Sequence, residues 1–494
     1  MNPAHVVAVG ALAVLAFDLF SRSQSKPASQ SAEGDHARAN ALSGIRLGSV
    51  AVFALAAGLA VSRRADAMLD DFSLFAIAFV LLSGFLVLSL SLTHFGMARS
   101  RPAEPIALVL FSLAGMASAI SSDHLLGLML SIELAWLPVV ALISIDSRRL
   151  SSSESSLKAF FAHVFASIIF AHGVAFVFAA TGSLDLSSLS PESITRPMLF
   201  DVGVTLIVVG LLARAVVAPF HPWSPDVHEG APSFVTAHIV MALQATTFFV
   251  LLRIFFVLAP GELSAEWPSE IAARLTNLLA VLGCLGLLWG HAMALVQVGL
   301  RRLVGWLGVG QAGFFALALV EATNEGGPAL LLALFAAGVS TVGVLAILSS
   351  LSHHERACEH VGDLSGMMQE SPIRAGLLAL FLLSLGGFPG TIGFVARVEI
   401  LSALEHGGHR ILLVAGLAAT VLALTAVGRP LLAMLRPVAD ESAKSRSLSN
   451  EQLVLALCAA AILYFGIAPV FRIEGVADVL FDSIEAAVAS LRAV

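Results

Sequence analysis

An all-α polytopic membrane protein is the fold this sequence predicts, with about fourteen transmembrane helices and two inverted five-helix repeats. Three observations point to it. The 494 residues are 58% hydrophobic and only 12% charged, about half the charged share of a soluble domain, which is about 25%. Long apolar runs with few charges follow one another along most of the chain, at a mean hydropathy of +0.91. Two of these runs, five apart in order, are interrupted by proline and glycine. A soluble protein would have to bury every such run in a core without a polar shell, so each reads as a membrane span. A soluble enzyme, a nucleic-acid binder and a disulfide scaffold are excluded.

A span needs about 20 apolar residues, and the runs fall at 3–20, 42–61, 72–95, 104–121, 124–145, 157–181, 198–219, 232–258, 271–297, 303–322, 328–351, 373–404, 409–434 and 450–470. The first begins near Val6 with no basic residue before it, unlike a signal peptide with its basic n-region, and is expected to be retained. The longest polar connection, 21–41, is rich in Ser, Ala and charges and reads as a loop. The tail beyond Phe471 mixes apolar and acidic residues and is expected to lie as a helix along the surface. Of the 27 Lys and Arg, fifteen lie in connections on one side, seven on the other and five within or at the ends of spans. Positive charge gathers on the cytoplasmic side, so both termini are expected outside the cytoplasm, which requires an even number of spans.

The interrupted runs are the seventh, ending in Pro219-Phe220-His221-Pro222-Trp223-Ser224-Pro225-Asp226, and the twelfth, containing Gly386-Gly387-Phe388-Pro389-Gly390. Broken helices at matching places in two halves suggest repeats with a site at their interface. The implied units are spans 4–8 and 9–13. Five spans is an odd number, which forces the second unit to be inverted. The expected organisation is a three-span segment at 1–100, a first repeat at 101–258, a second at 259–436, and the last span and tail at 437–494.

A charge inside the bilayer costs about 2.5–3.5 kcal/mol on insertion scales and therefore faces a partner or a wet cavity. Glu133 sits in the middle of the fifth span, Lys158 near the start of the sixth, Arg214 deep in the seventh, and Arg397 past the break in the twelfth. Glu133 with Arg214 has two readings, a structural ion pair or a charge pair in a proton path. Histidine titrates near physiological pH, and His163, His172, His221, His238 and His291 fall inside or at the ends of spans. Each can be a packing residue or part of a wet path. Gln244 and Gln311 lie within spans, where they can hold water but carry no charge. The three cysteines are scattered, with no CxxC pair and no Cys/His cluster, so no metal or iron–sulfur site is expected in this chain. No GxGxxG or P-loop stands in a strand–helix context.

Several stretches resemble the antiporter-like proton-channel subunits of respiratory complex I, the NADH–quinone oxidoreductase. Asp71-Phe72-Ser73-Leu74-Phe75 resembles the opening of that family's third span, and Ile132-Glu133-Leu134 with Leu137-Pro138 its glutamate motif. Ser156-Leu157-Lys158-Ala159-Phe160-Phe161, leading to Thr181-Gly182-Ser183-Leu184-Asp185-Leu186, resembles the following span. Ala218-Pro219-Phe220-His221-Pro222-Trp223-Ser224-Pro225-Asp226-Val227 with Glu229-Gly230-Ala231-Pro232 is similar to the family's PFHxWxPDVYxGAP pattern. Ser384-Leu385-Gly386-Gly387-Phe388-Pro389-Gly390 with Gly393-Phe394 is similar to SLxGxPPxxGF. The PFH and PDV spelling and the fourteen spans favour the subunit N branch of bacterial enzymes.

The resemblance implies a proton channel in the cell inner membrane, coupled to quinone reduction. NADH, FMN, iron–sulfur clusters and quinone would be handled by partner subunits of the membrane and peripheral arms. It also implies functional positions at Glu133, Lys158, Arg214, Arg397 and His221, with Gln244, Gln311, His238 and His291 as candidate channel-lining residues. Four positions depart from the family: lysines of the seventh and twelfth spans are Arg214 and Arg397, a lysine of the eighth is Gln244, and a histidine of the tenth is Gln311. Lysine loses its proton readily when buried, whereas arginine stays charged and glutamine does not titrate. A lysine relay cannot run here unchanged. Either histidines and water replace it, with His238 and His291 as candidates, or the subunit pumps poorly. Two rival readings follow: a subunit of a multisubunit cation/proton antiporter or membrane-bound hydrogenase, and a non-pumping scaffold with a decayed channel.

Overall fold

In the computed structural model the described residues are 3–24, 52, 55–60, 62, 69–98, 103–146, 149–189, 191–258, 269–352, 359–437, 449–471 and 476–492. Nearly all of them are helical, because in a lipid solvent only a helix satisfies its own backbone within one segment. Helices long and apolar enough to cross a membrane begin at Asp71, Ala103, Leu125, Leu150, Pro197, Ser233, Ala273, Leu300, Arg410 and Gln452. The stretch from Leu300 to Leu351 holds two spans. Its helix Leu300–Ala318 ends in a kink with Asn324 at φ −106°, ψ −125°, before Gly327–Ser352 begins. The first span is Pro3–Gln24, and the twelfth is split into Pro372–Gly386 and Ile392–His406. The expected second span, 42–61, and the loop 21–41 lie largely outside the described residues.

The solvent inverts the surface. Leu126, Leu130, Leu134 and Leu137 form an exposed stripe on the fifth span, and Ile411, Val414, Leu417 and Val421 one on the thirteenth, each at helical spacing. The interior is closed by an aromatic seam joining the third, eighth, eleventh and fourteenth spans: Phe79 on Phe249 at 5.4 Å, Phe79 near Phe335 at 6.3 Å, and Phe335 on Phe465 at 5.7 Å, all edge-to-face. Such pairs add about 0.5–1.5 kcal/mol each beyond the area they bury.

The repeat is visible in the packing. Spans 4 and 5 cross where a Cβ on Gly115 would stand 2.4 Å from the Ala135 nitrogen, and spans 9 and 10 cross where one on Gly290 would stand 2.4 Å from the Gly310 nitrogen. Both pairs are related by the same 175 positions (115 to 290, 135 to 310). So are two isolated antiparallel bridges, His124 with Asp185 and Gly299 with His360. Each bridge ties the entrance of one span to the exit of the next, spans 5 and 6 in the first unit and spans 10 and 11 in the second.

Two details differ from the sequence reading, and the tail agrees with it. The sixth span starts at Leu150, seven residues early, because its serine-rich first turns continue the helix beyond the apolar run. The eighth carries a π-helical turn at Ile239–Leu243, a one-residue insertion that hydropathy does not register. The tail is a helix, Val476–Arg492, with Ile484, Ala487, Val488 and Leu491 buried. Ser490 Oγ accepts from the Phe72 amide at 3.0 Å, and Arg492 donates to the Thr323 carbonyl at 2.9 Å, so this helix clasps the third span and the kink between the tenth and eleventh.

Gly115→Val and Gly290→Val should each lower the thermal transition of the purified protein, since overpacking against rigid backbone costs about 1–3 kcal/mol. Gly376→Ala, whose Cβ would meet nothing within 4 Å, should leave the transition unchanged or slightly raised. Thermal unfolding in detergent measures all three.

Candidate functional site

The seventh span stops at Arg214, the last residue of Pro197–Arg214. Val216 follows at φ 66°, a left-handed conformation that a β-branched residue adopts only under constraint. After a short turn the chain re-enters a helix at Trp223–Gly230. The Ala215 carbonyl, freed by the break, accepts from Gln244 Nε2 at 2.9 Å. The break thus presents Arg214 to the interior between the fifth and sixth spans.

Four side chains meet there. Arg214 Nη2 donates to Glu133 Oε1 at 3.0 Å and to Ser167 Oγ at 2.8 Å. Ser167 Oγ donates to the same Glu133 oxygen at 2.6 Å. His163 Nε2 stands 2.7 Å from Glu133 Oε2. An ionised carboxylate only accepts, so Nε2 is the donor in this bond. The two ion-pair partners are not equivalent: the Arg214 side chain is 1% exposed and that of Glu133 25%. The guanidinium is sealed within the protein, and the carboxylate is the member that reaches the protein surface. Trp136 stacks on the His163 ring at 5.3 Å and 25°, and Trp223 meets Trp136 edge-on at 5.5 Å. The Phe170 ring lies 5.5 Å from the guanidinium carbon. A buried pair of this kind adds little net stability, but loss of one partner strands the other charge at about 3–5 kcal/mol.

Lys158 stands apart from this group. It is 42% exposed and pairs with Glu154 and Asp226, both at 2.6 Å. Asp226 also takes Arg302 at 3.1 Å, tying the sixth span, the short helix and the tenth span together. A cleft of about 580 Å³ opens beside this cluster, lined by Lys158, Phe161, Phe165, Phe220, Trp223 and Asp226, with Ala162 and Ala213 also on its wall.

The second break is built differently. Gly387 at φ 78° ends the first half-helix, a conformation glycine adopts at no steric cost. Arg397 donates to the carbonyls of Gly386 at 2.8 Å and Leu385 at 2.6 Å, and Gln311 adds a third bond to Leu385 at 2.9 Å. The Arg397 guanidinium carbon lies 4.8 Å from the Phe314 ring centre. Arg397 forms no ion pair with a carboxylate among the described residues. The position 175 after Glu133 is Gly308, where a Cβ would meet nothing within 4 Å. The second unit therefore keeps a buried cation, without the carboxylate of the first.

The remaining candidates are dispersed. His221 lies against Trp306 at 5.2 Å. His238 Nε2 bonds to Ser112 at 2.9 Å, not to the Glu133 group. His291 Nδ1 donates to the Leu287 carbonyl at 2.7 Å, with its ring packed on Gly310. Among the described residues no group of three or more His, Cys, Asp or Glu is arranged to hold a metal ion. Sequence reasoning did not single out Ser167, and named His163 only as one of five span histidines without joining it to Glu133. Their i, i+4 spacing on one face of the sixth span was the available signal.

Fold and site together define a class: a polytopic membrane protein of two inverted five-span units, with a buried carboxylate–guanidinium pair at a helix break. The family described as NADH:quinone oxidoreductase/Mrp antiporter, TM matches residues 122–423. The subunit N of NADH-quinone oxidoreductase from Syntrophotalea carbinolica is 32% identical over 370 residues, which cover 74% of this chain and 77% of that one. The fold is also that of a chain of respiratory complex I from Thermus thermophilus, at a TM-score of 0.75, 24% identity and coverage of 95% and 97%. A chain of the Mrp complex from Dietzia gives 0.79 at 18% identity, with coverage of 99% and 97%. The chain belongs to the NADH:quinone oxidoreductase/Mrp antiporter transmembrane family.

Val216→Gly should cost less stability than Val217→Gly. Both remove the same buried side chain, but only the first relieves a left-handed backbone, worth about 1–2 kcal/mol. Paired thermal denaturation of the two variants measures the difference.

Proposed function

We propose that this chain is a membrane-arm subunit of a complex I-like NADH–quinone oxidoreductase and carries an antiporter-like proton channel. Residues 101–258 and 259–436 are its repeat units. It lies in the bacterial inner membrane with both termini on the non-cytoplasmic side. NADH oxidation, flavin, iron–sulfur clusters and quinone belong to partner subunits. The subunit N relatives support the assembly. The observation that carries the channel is the Glu133–Arg214 pair at the break of the seventh span, held at 3.0 Å.

The mechanism is electrostatic. With Arg214 in place, Glu133 is held as a carboxylate by the cation and by two further donors. If a neighbouring subunit draws Arg214 back, the carboxylate loses its counter-charge in a medium of low dielectric and binds a proton. Return of Arg214 expels that proton. Arg214 never titrates in this cycle. It acts as a moving charge, and the protons pass through groups beside it.

A scaffold reading is favoured by one observation, confined to the second unit: Arg397 caps carbonyls, and Gly308 stands where the first unit has Glu133. Under the channel reading the first unit carries the titrating groups.

Glu133→Gln should lower the protons moved per electron in proteoliposomes holding the whole complex, while NADH oxidation falls less. Parallel recording of proton uptake and NADH oxidation tests this. Equal loss of both in a fully assembled complex contradicts the channel reading.

A further inference from the structure

The cleft of about 580 Å³ beside the short helix lies outside the Glu133–Arg214 pair, and its two ends differ in chemistry. At one end Lys158 and Asp226 stand within a charged cluster completed by Glu154, Glu229 and Arg302. From there the sixth span runs into the bilayer. Phe165, seven residues beyond Lys158 and about 10 Å along a helix, marks the other end. Between the two the wall is apolar. Phe161 and Phe165 lie on the sixth span, Phe220 and Trp223 on the far side of the break, and the Phe165 and Phe220 rings stand 6.5 Å apart. Ala162 and Ala213 bring nothing larger than a methyl group to this wall, which leaves a trough. Phe161 and Phe165 also belong to an exposed apolar stripe with Leu157 and Ile168, at helical spacing, so the surface that lipid covers flanks the cleft. A cavity charged at the membrane edge and apolar toward the middle matches an amphiphile standing upright in one leaflet. Its volume is that of a small-molecule site, about 300–1,000 Å³.

The rim selects the headgroup. Lys158 spends two of the three protons of its ammonium on Glu154 and Asp226, which leaves one for an anionic oxygen. Asp226 already takes both Lys158 and Arg302, whereas Glu154 and Glu229 are exposed and can accept further bonds. Three carboxylates against two cations leave the rim with surplus negative charge. A head carrying only negative charge meets that surplus, and a trimethylammonium brings no N–H to the carboxylates. A phosphate joined to a primary ammonium satisfies both signs with charge-assisted hydrogen bonds. We propose that this cleft binds one phosphatidylethanolamine, with its phosphate on Lys158, its ammonium on Glu154 or Glu229, and an acyl chain in the trough between Phe165 and Phe220. The reading needs only that the chain spans a membrane and does not depend on a proton channel. The acyl chain lies against Ala213 on one side of the break in the seventh span and against Phe220 and Trp223 on the other. It braces the break from outside with hydrocarbon.

The test uses phosphatidylcholine proteoliposomes holding the whole complex, doped with a phospholipid that carries a photoreactive group in its acyl chain and an ethanolamine, choline or glycerol head. After illumination, adducts on residues 158–165 and 213–226 are counted by mass spectrometry. The exposed stripe at 411–421 on the thirteenth span serves as the internal control and should label equally with all three heads. The ethanolamine lipid should label the two cleft segments about tenfold more than the choline lipid, the step expected when charge-assisted hydrogen bonds to the ammonium are made by one and not the other. Glu154→Gln with Glu229→Gln should bring the ethanolamine lipid down to the choline level, and Lys158→Gln should lower labelling of the cleft by both. Equal labelling by ethanolamine and choline heads in the wild type overturns the proposal, and decides the matter if the variants do not assemble. Stronger labelling by the glycerol head overturns it in favour of an anionic-lipid site. Labelling of the control stripe without the cleft segments also overturns it, because a partner subunit then covers the cleft.

Discussion

A helix can be broken inside a membrane only where protein groups or enclosed water satisfy the carbonyls it frees, and both breaks in this protein meet that demand with side chains. At the first, Gln244 takes the Ala215 carbonyl, which leaves the Arg214 guanidinium free to reach across to Glu133. At the second, Arg397 and Gln311 are themselves spent on the Leu385 and Gly386 carbonyls. The same residue type therefore acts as one half of an ion pair in one unit and as a cap in the other. A buried arginine does not announce which of these it is. The answer depends on whether a neighbour has already taken up the loose backbone.

The two units share a skeleton but not a chemistry. The glycine-mediated crossings and the bridges repeat at a constant offset of 175, because they fix how closely the backbones approach. The side chains on that skeleton have diverged: Glu133 corresponds to Gly308 and Trp136 to Gln311. Geometry is copied and electrostatics is not, as expected where packing constrains every position of a crossing and a charge need be kept in only one unit.

Much of this was legible in the sequence. Spans register as apolar runs, breaks register as Pro219 and Gly387 within them, and Glu133 and Arg214 stand out as lone charges where a charge is expensive. Other features were not legible. Ser167 reads as one small residue among many, and only the fold shows its hydroxyl bridging a carboxylate and a guanidinium. Lys158 looks intramembrane until the helix is seen to begin at Leu150, which places the lysine among carboxylates at an exposed end. The 175-residue period is hidden because the glycines that carry it are scattered among 40. The π-turn at Ile239–Leu243 has no signature in hydropathy at all.

The amphipathic helix Val476–Arg492 has a bearing on how the chain is made. The kink that Arg492 ties down at Thr323 leaves the ribosome 169 residues before the arginine does, and the start of the third span precedes its own tie at Ser490 by 418. During synthesis both places pass through the insertion machinery without the contact that later fixes them. The tenth and eleventh spans therefore enter the bilayer before the tail contact at the kink between them exists. The clasp across the third span and this kink is the last of their contacts to become available, because the helix that makes it is synthesised after every span it touches.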